Sequence, residues 1–141
     1  MKYELFISDY DGTLGLAPKN DIDGETLSAI KKFTEKGGKF VVCSGRETTS
    51  ITRILKKHGL TGLVVSFQGA RITDIESGKS IIDGGLDLNT ALKVLNDVKE
   101  YGLVPIAYGD SEIYVNEMID RVEYYRKAVG LDCFVLDVEQ Y

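Results

Sequence analysis

The sequence predicts an α/β protein built on a parallel sheet, from two observations. Three apolar runs of strand length, residues 3–8, 39–43 and 63–67, alternate with two segments in which apolar residues recur at helical spacing. The second run is apolar at every position after Lys39, which is typical of a strand that helices cover on both faces. We therefore expect βαβ units in this part of the chain.

The first strand leads directly into two carboxylates. Asp9 and Asp11 follow it one residue apart, and Gly12 permits a tight turn. In open α/β sheets ligands bind outside the carboxyl ends of the strands, so this position favours a functional site. Asp9 offers a carboxylate to a hard cation or an electrophile, and Asp11 offers a general acid and base. The alternative is a plain surface turn, since Asp-Gly-Thr is a good turn sequence.

The first helix and the second strand come next. Residues 15–22, which include Pro18, read as a loop, and Asp23 is the predicted N-cap of a helix that ends at Gly37-Gly38. The second strand is 39–43. We expect its carboxyl end to lie beside that of the first strand.

A short polar turn follows the second strand. The Ser44 hydroxyl, with Gly45 at a helix start, offers an O–H and backbone amides to a phosphate. Ser44 is alternatively a simple N-cap for the next helix. Arg46 would either orient a phosphate or pair with a helix carboxylate such as Glu47.

The second helix carries Ile51, Ile54 and Leu55 and closes at His58-Gly59. His58 suits a helix C-terminus and needs no catalytic role there. The third strand, 63–67, leads to Gln68-Gly69 on the same rim. The Gln68 amide is able to hydrogen-bond a substrate, although strand-end turns also use such residues.

The pattern changes after residue 70. We place a domain junction near Gly84-Gly85, dividing the chain into 1–84 and 85–141, because two adjacent glycines make a plausible hinge. The predicted elements are a hairpin of 71–75 and 79–82, a helix over 87–101, strands near 103–108 and 112–116, a helix near 117–129 and a strand at 133–136.

Composition narrows the class of partner. The net charge of −5, without a cluster of Lys and Arg, argues against a nucleic-acid surface. No apolar stretch approaches the roughly 20 residues of a membrane span, and the first residues lack a signal-peptide pattern. Cys43 and Cys133 are far apart in apolar runs, so we expect reduced thiols in a cytoplasmic protein.

The motifs resemble those of a known family. Residues 9–14, Asp-Tyr-Asp-Gly-Thr-Leu, resemble the first motif of the haloacid dehalogenase (HAD) superfamily, which consists mostly of Mg²⁺-dependent phosphatases. Ser44-Gly45-Arg46 is similar to the second motif, commonly Thr-Gly-Arg in the Cof-type phosphatases. Gln68-Gly69-Ala70 is similar to the Asn-Gly-Ala after their third strand. The resemblance implies an incomplete HAD-like Rossmannoid sheet in 1–84 and part of an α/β cap in 85–141.

By this resemblance Asp9 is the nucleophile that forms an aspartyl-phosphate, and Asp11 is the acid and base. Mg²⁺ would be held by Asp9 and by Asp11, whose backbone carbonyl is a ligand. The implied phosphoryl-binding and secondary substrate contacts are Tyr10, Ser44, Gly45, Arg46, Gln68 and Gly69, with the amides of Tyr10 and Asp11 contributing. Phosphoryl transfer needs positioning and charge neutralisation more than elaborate chemistry.

The chain departs from the family in one large respect. Members also supply a lysine and a later Gly-Asp motif that completes the Mg²⁺ site, both normally after the cap, and this chain ends inside the predicted cap. Asp110, which follows Gly109, would be the missing ligand if 104–109 were a core strand. A cap hairpin is the alternative, because residues 113–116 continue at once as a strand. In addition, Pro105 has no amide hydrogen to donate to a neighbour in a central strand.

Two functions from different classes follow. The leading one is a Mg²⁺-dependent phosphomonoester hydrolase of the Cof type, truncated and weak or inactive alone, acting on a small phosphorylated metabolite. The alternative is a non-catalytic phosphate- and metal-binding or regulatory module. We also expect the first strand to be an apolar edge that pairs in a homodimer or with a complementing C-terminal segment.

Other α/β classes are excluded by missing motifs. A receiver domain needs an aspartate at the end of the third strand, which residues 66–68 lack, and the sequence has no dinucleotide-binding or Walker loop.

Overall fold

The computed structural model describes residues 2–16 and 20–136. The chain divides into two compact units, Met1–Gly84 and Gly85–Tyr141. The part of the predicted 15–22 loop that contains Pro18 lies outside the described residues.

The first unit alternates strand and helix and then forms a hairpin. Its elements are β1 (Leu5–Ser8), α1 (Gly24–Glu35), β2 (Lys39–Cys43), α2 (Thr48–Lys57), β3 (Leu63–Ser66), β4 (Arg71–Asp74) and β5 (Ser80–Asp83), with a short 3₁₀ turn at Phe67–Gly69.

These strands form one sheet in the order β1-β2-β3-β4-β5. β1, β2 and β3 are mutually parallel, with Phe6 beside Phe40 and Val42 beside Val64. β3 with β4 and β4 with β5 are antiparallel. The predicted α/β class is confirmed, with a parallel half that carries the βαβ units and an antiparallel half made by the hairpin.

The helices cover the sheet through their apolar sides. Ile51 and Leu55 of α2 and Val64 of β3 are fully buried in one cluster. Asp23 caps α1 as predicted, because its carboxylate accepts the amide hydrogens of Glu25 and Thr26 at 2.9 Å each. This apolar cluster packs α2 against the strands whose carboxyl ends form the site.

The strand limits differ slightly from the prediction. β1 begins at Leu5 rather than at residue 3, and β3 ends at Ser66 rather than at 67. The second difference has a backbone cause, since Phe67 and Gln68 both take positive φ values, 51° and 55°. Left-handed residues cannot continue a strand.

β1 is an edge strand, and its apolar residues are exposed on both faces. Leu5, Phe6 and Ile7 are 50%, 56% and 57% exposed. Successive strand residues point to opposite faces, so neither face of β1 is fully covered. Phe6 stacks on Phe40 with ring centroids 5.9 Å apart and contacts the Phe33 ring edge-on at 6.5 Å, yet it remains 56% exposed.

The second unit contains α3 (Leu88–Glu100), β6 (Ile106–Tyr108), β7 (Glu112–Val115), α4 (Asp120–Val129) and β8 (Asp132–Val135). β6 and β7 are antiparallel, and β8 is parallel to β7. Gly109 donates to Glu112 across the turn, so Asp110 lies in a hairpin between β6 and β7. This stretch is therefore the cap-type hairpin, and strand β7, not a helix, follows Asp110 directly.

Two further expectations concern bulk properties. Cys43 and Cys133 are free thiols, each partly buried. Across residues 2–16 and 20–136, none of the helices combines the length and the apolar character that crossing a bilayer requires.

Candidate active site

The site lies where the three parallel strands end. Asp9 follows β1, Ser44 follows β2 and Phe67 follows β3. Because these strands are adjacent and parallel, their carboxyl ends meet at one edge of the sheet. The sequence-predicted residues of the first unit therefore share one rim.

The turn after β1 is built around the Tyr10 carbonyl. That oxygen accepts the amide hydrogens of Leu14 at 3.0 Å and Gly15 at 2.7 Å. Gly12 takes a φ of 76°, which permits the tight turn. The Tyr10 ring is fully buried, so its side chain belongs to the core. Asp9 and Asp11, on either side of it, are exposed at the rim.

Arg46 joins the turn after β1 to the turn after β2. Its Nε donates to Asp11 Oδ2 at 2.9 Å and its Nη2 to Asp11 Oδ1 at 2.7 Å. The guanidinium also lies over the Tyr10 ring, 5.0 Å from the centroid. The hydrogen bonds from Arg46 hold the pKa of Asp11 below its ordinary value, against a smaller opposing effect of burial.

Of the two alternatives for Arg46, the pairing with Glu47 is not the one that the structure shows. Glu47 is 5% exposed and caps α2, accepting the amide hydrogens of Thr49 and Ser50. A carboxylate at a helix N-terminus satisfies free amides and suits the helix dipole. With Glu47 so occupied, Arg46 extends to Asp11 instead.

Ser44 is not the N-cap of α2, because Glu47 fills that position. Ser44 is 2% exposed, and its Oγ accepts the Arg46 amide hydrogen at 3.1 Å. Its main chain is tied to the third strand by a bond from Ser44 N to Val65 O of 2.9 Å. The hydroxyl is thus held at a fixed place on the rim.

Gln68 packs directly over Gly45. A Cβ built on Gly45 would lie 2.3 Å from Gln68 Nε2, so a larger residue at 45 would displace this amide. Gln68 N also donates to the Ser44 carbonyl at 3.3 Å, and Gly69 takes a φ of 101°. Gln68 and Gly69 therefore adjoin the Ser44-Gly45 turn.

Sequence reasoning missed Asn20. The main-chain carbonyl of Asn20 accepts a hydrogen bond from the Tyr10 hydroxyl at 2.7 Å. When its amide is oriented to satisfy both side-chain atoms, the oxygen accepts from Arg46 Nη2 and the nitrogen donates to the Gly15 carbonyl at 3.1 Å. No sequence motif predicts this role for an asparagine in a loop.

A second ion-pair group was also missed. Asp21 bonds Lys57 Nζ at 2.7 Å and His58 Nε2 at 2.5 Å. The bond from Lys57, then that from His58, lowers the pKa of Asp21. His58 thus has a structural partner besides the helix end, and it ties the 20–22 segment to the end of α2.

Two exposed carboxylates fit a hard cation in their chemistry, because Mg²⁺ prefers oxygen ligands. They fit it only in part, since Asp11 is bonded to Arg46. Within the described part of the chain, no group of three acidic, His or Cys side chains is placed to hold a metal. The carboxylates on this rim would therefore supply only some of the ligands that a Mg²⁺ ion needs.

Fold and site together define an α/β protein with an acidic pair, a fixed serine and an arginine at the carboxyl edge of a parallel sheet. The family model of the haloacid dehalogenase-like hydrolases matches residues 6–136. The chain belongs to this family of enzymes.

Similar proteins and structures agree with this assignment. The chain is 24% identical over 143 residues to a Haemophilus influenzae protein, covering 52% of it. It is 30% identical over 94 residues to the HMP-PP phosphatase of Serratia proteamaculans, covering 67% of this chain and 34% of that one. It is 25% identical over 141 residues to the phosphoglycolate phosphatase of Methanococcoides burtonii, covering 97% and 60%.

Solved structures share the fold. A haloacid dehalogenase-like hydrolase from Bacteroides thetaiotaomicron superposes with a TM-score of 0.80 at 24% identity, over 98% of this chain and 53% of that chain. A subclass IIB sugar phosphatase gives 0.76 at 20% identity, over 97% and 54%. The matches cover about a third of the length of the Serratia proteamaculans phosphatase and about three fifths of the length of the Methanococcoides burtonii phosphatase.

Proposed function

We propose that the chain carries the nucleophile half of a phosphomonoester hydrolase that acts on small phosphorylated metabolites. The observation that supports this most is the meeting of Asp9, Asp11, Ser44 and Arg46 at the ends of the adjacent parallel strands β1 and β2. The names of two similar proteins, HMP-PP phosphatase and phosphoglycolate phosphatase, favour a small phosphorylated substrate. A cytoplasmic location agrees with that class of substrate.

In the proposed reaction an Asp9 oxygen attacks phosphorus, and the bond from phosphorus to the leaving oxygen breaks. Asp11 gives its proton to that oxygen, so a neutral alcohol leaves. Water then attacks the aspartyl-phosphate, Asp11 takes a proton from it, and Asp9 and inorganic phosphate are regenerated. Asp11 must hold a proton in the first step, yet Arg46 favours its ionised form. Substrate binding must therefore change this contact.

Ser44, the nearby main-chain amides and Gln68 would orient the phosphoryl group. Gly45 and Gly69 would allow its close approach, since they carry no side chain. Mg²⁺ would be held by the Asp9 carboxylate and the Asp11 carbonyl and would neutralise phosphoryl charge. A complete site needs groups beyond those on this rim. We assign the unit Met1–Gly84 to the core and Gly85–Tyr141 to part of the cap.

Hydrolysis of p-nitrophenyl phosphate with Mg²⁺ tests the proposal. The variants are Asp9→Asn and, as a matched control, Asp110→Asn in the β6–β7 turn. Because the rim is an incomplete site, we expect only weak turnover, which Asp9→Asn abolishes and Asp110→Asn leaves unchanged. Loss of turnover in Asp110→Asn would instead support the role of Asp110 as a metal ligand. Equal turnover by wild type and Asp9→Asn would contradict the proposal.

The second candidate is a module that binds phosphate without turnover. The contact between Asp11 and Arg46 favours it, because the proposed acid is occupied. Binding of inorganic phosphate by a folded chain that shows no Asp9-dependent hydrolysis would support this function.

A further inference from the structure

We propose that Arg46 exchanges partners: its guanidinium bonds Asp11 in the empty site and a phosphate oxygen in the occupied one, which releases the Asp11 carboxylate toward the substrate. This inference rests on the proposed function, because it assumes that the rim binds a phosphoryl group. It adds that Asp11 and the phosphate compete for one guanidinium.

The main chain of Arg46 is fixed while its side chain spans the rim. Its amide donates to Ser44 Oγ at 3.1 Å, and its carbonyl accepts the Phe67 amide hydrogen at 3.0 Å. The guanidinium crosses from this fixed point to Asp11. An anion bound at Ser44 would therefore lie beside the origin of the arginine side chain, so exchange needs only side-chain rotation.

Tyr10 supplies a surface on which the guanidinium is able to turn. Its ring is fully buried, and the ring centroid lies 5.0 Å from the guanidinium carbon of Arg46, Cζ. Planar guanidinium groups stack on aromatic faces, and such contacts depend weakly on in-plane rotation. The Asn20 amide, whose oxygen accepts from Arg46, gives a second polar contact.

Charge and exposure decide the direction of exchange. The Asp11 side chain is 51% exposed and that of Arg46 27%, so solvent screens their attraction. A phosphate dianion carries more charge than a carboxylate and offers three acceptor oxygens in a geometry that arginine matches. The pair is therefore weak enough to open when phosphate arrives.

Binding of inorganic phosphate to the 141-residue chain, measured by calorimetry without added metal, tests the exchange. The variants are Asp11→Asn, Arg46→Gln and both together, each checked for folding by circular dichroism. We expect about fivefold tighter binding in Asp11→Asn, about tenfold weaker binding in Arg46→Gln, and a double variant within about twofold of Arg46→Gln.

Asp9→Asn provides the matched cycle, because it removes an equal charge from the same rim without a described contact to Arg46. Its effect on phosphate affinity should be the same factor with Arg46 or Gln at position 46. Equal effects of Asp11→Asn in both backgrounds would overturn the exchange and leave the phosphate site standing. Absence of phosphate binding in every folded variant would overturn both the exchange and the proposed function.

Discussion

The guanidinium of Arg46 donates hydrogen bonds to both carboxylate oxygens of Asp11, at 2.9 and 2.7 Å, although the two residues are 35 positions apart in the sequence. This contact connects the turns that follow β1 and β2. It also occupies the residue that the resemblance assigns as acid and base.

We expect this ion pair to contribute little to stability. Arg46→Lys keeps the charge but loses the forked geometry, and exposed pairs are worth about 0.2–1 kcal/mol, so the free energy of unfolding should fall by less than about 1 kcal/mol. Urea unfolding measures it. The difference should shrink further at about 1 M salt, where the screening length is near 3 Å. A loss of several kcal/mol would show that the contact is a main support of the fold.

Gly45→Ala should disturb the rim through Gln68. The added Cβ would stand 2.3 Å from Gln68 Nε2, so this amide must move. We expect weaker inorganic phosphate binding in Gly45→Ala than in wild type, measured by calorimetry. Because the obstructing atom belongs to a flexible side chain, the added Gln68→Ala should relieve the clash, and phosphate affinity should then match that of Gln68→Ala alone. If Gly45→Ala lowers affinity equally in both backgrounds, the contact with Gln68 is not the cause.

The buried face of α2 should dominate the stability of the first unit. Leu55 is fully buried, so Leu55→Ala should lower the free energy of unfolding by about 2–5 kcal/mol. Leu16→Ala is the matched control, because Leu16 is 51% exposed and should lose under about 1 kcal/mol. Chemical denaturation of both variants measures this. Equal losses would contradict the packing described for α2.

The Asp23 cap should give α1 a defined pH dependence. Bonds from the Thr26 amide, then its hydroxyl, hold the pKa of Asp23 below its ordinary value. The cap therefore stabilises the fold fully above about pH 4, the ordinary carboxyl pKa, and this contribution is lost as pH falls through the lowered pKa. Asp23→Asn keeps a good cap without a charge, so its melting temperature should fall less than that of wild type between pH 6 and 3. Parallel pH profiles would argue against the cap.

The edge at β1 should drive self-association. Ile7→Lys places a charge on this exposed strand and should shift sedimentation toward the monomer. Ile81→Lys on β5, where Ile81 is 60% exposed, is the matched control. The register shift between β4 and β5 distorts that end of the sheet, so we expect no change in that variant. A concentration-independent monomer in wild type would contradict the prediction of a homodimer.

The sequence predicts the order of strands and helices well because apolar periodicity and caps such as Asp23 are local signals. It also brings Asp9, Ser44 and Gln68 to one rim, since parallel strands end together. It cannot predict the partners of Arg46, because the choice between Glu47 and Asp11 depends on which carboxylate the helix end takes. The contact of Asn20 with Arg46 likewise exists only after the loop has folded.

The exposure of Leu5, Phe6 and Ile7 on both faces of β1 also bears on the fate of the chain in a cell. Chaperones and quality-control proteases recognise extended apolar segments that folding has left uncovered. A copy with β1 uncovered would resemble an unfinished folding product. The lifetime of the polypeptide, and hence its abundance, would then depend on how quickly that strand is covered after synthesis.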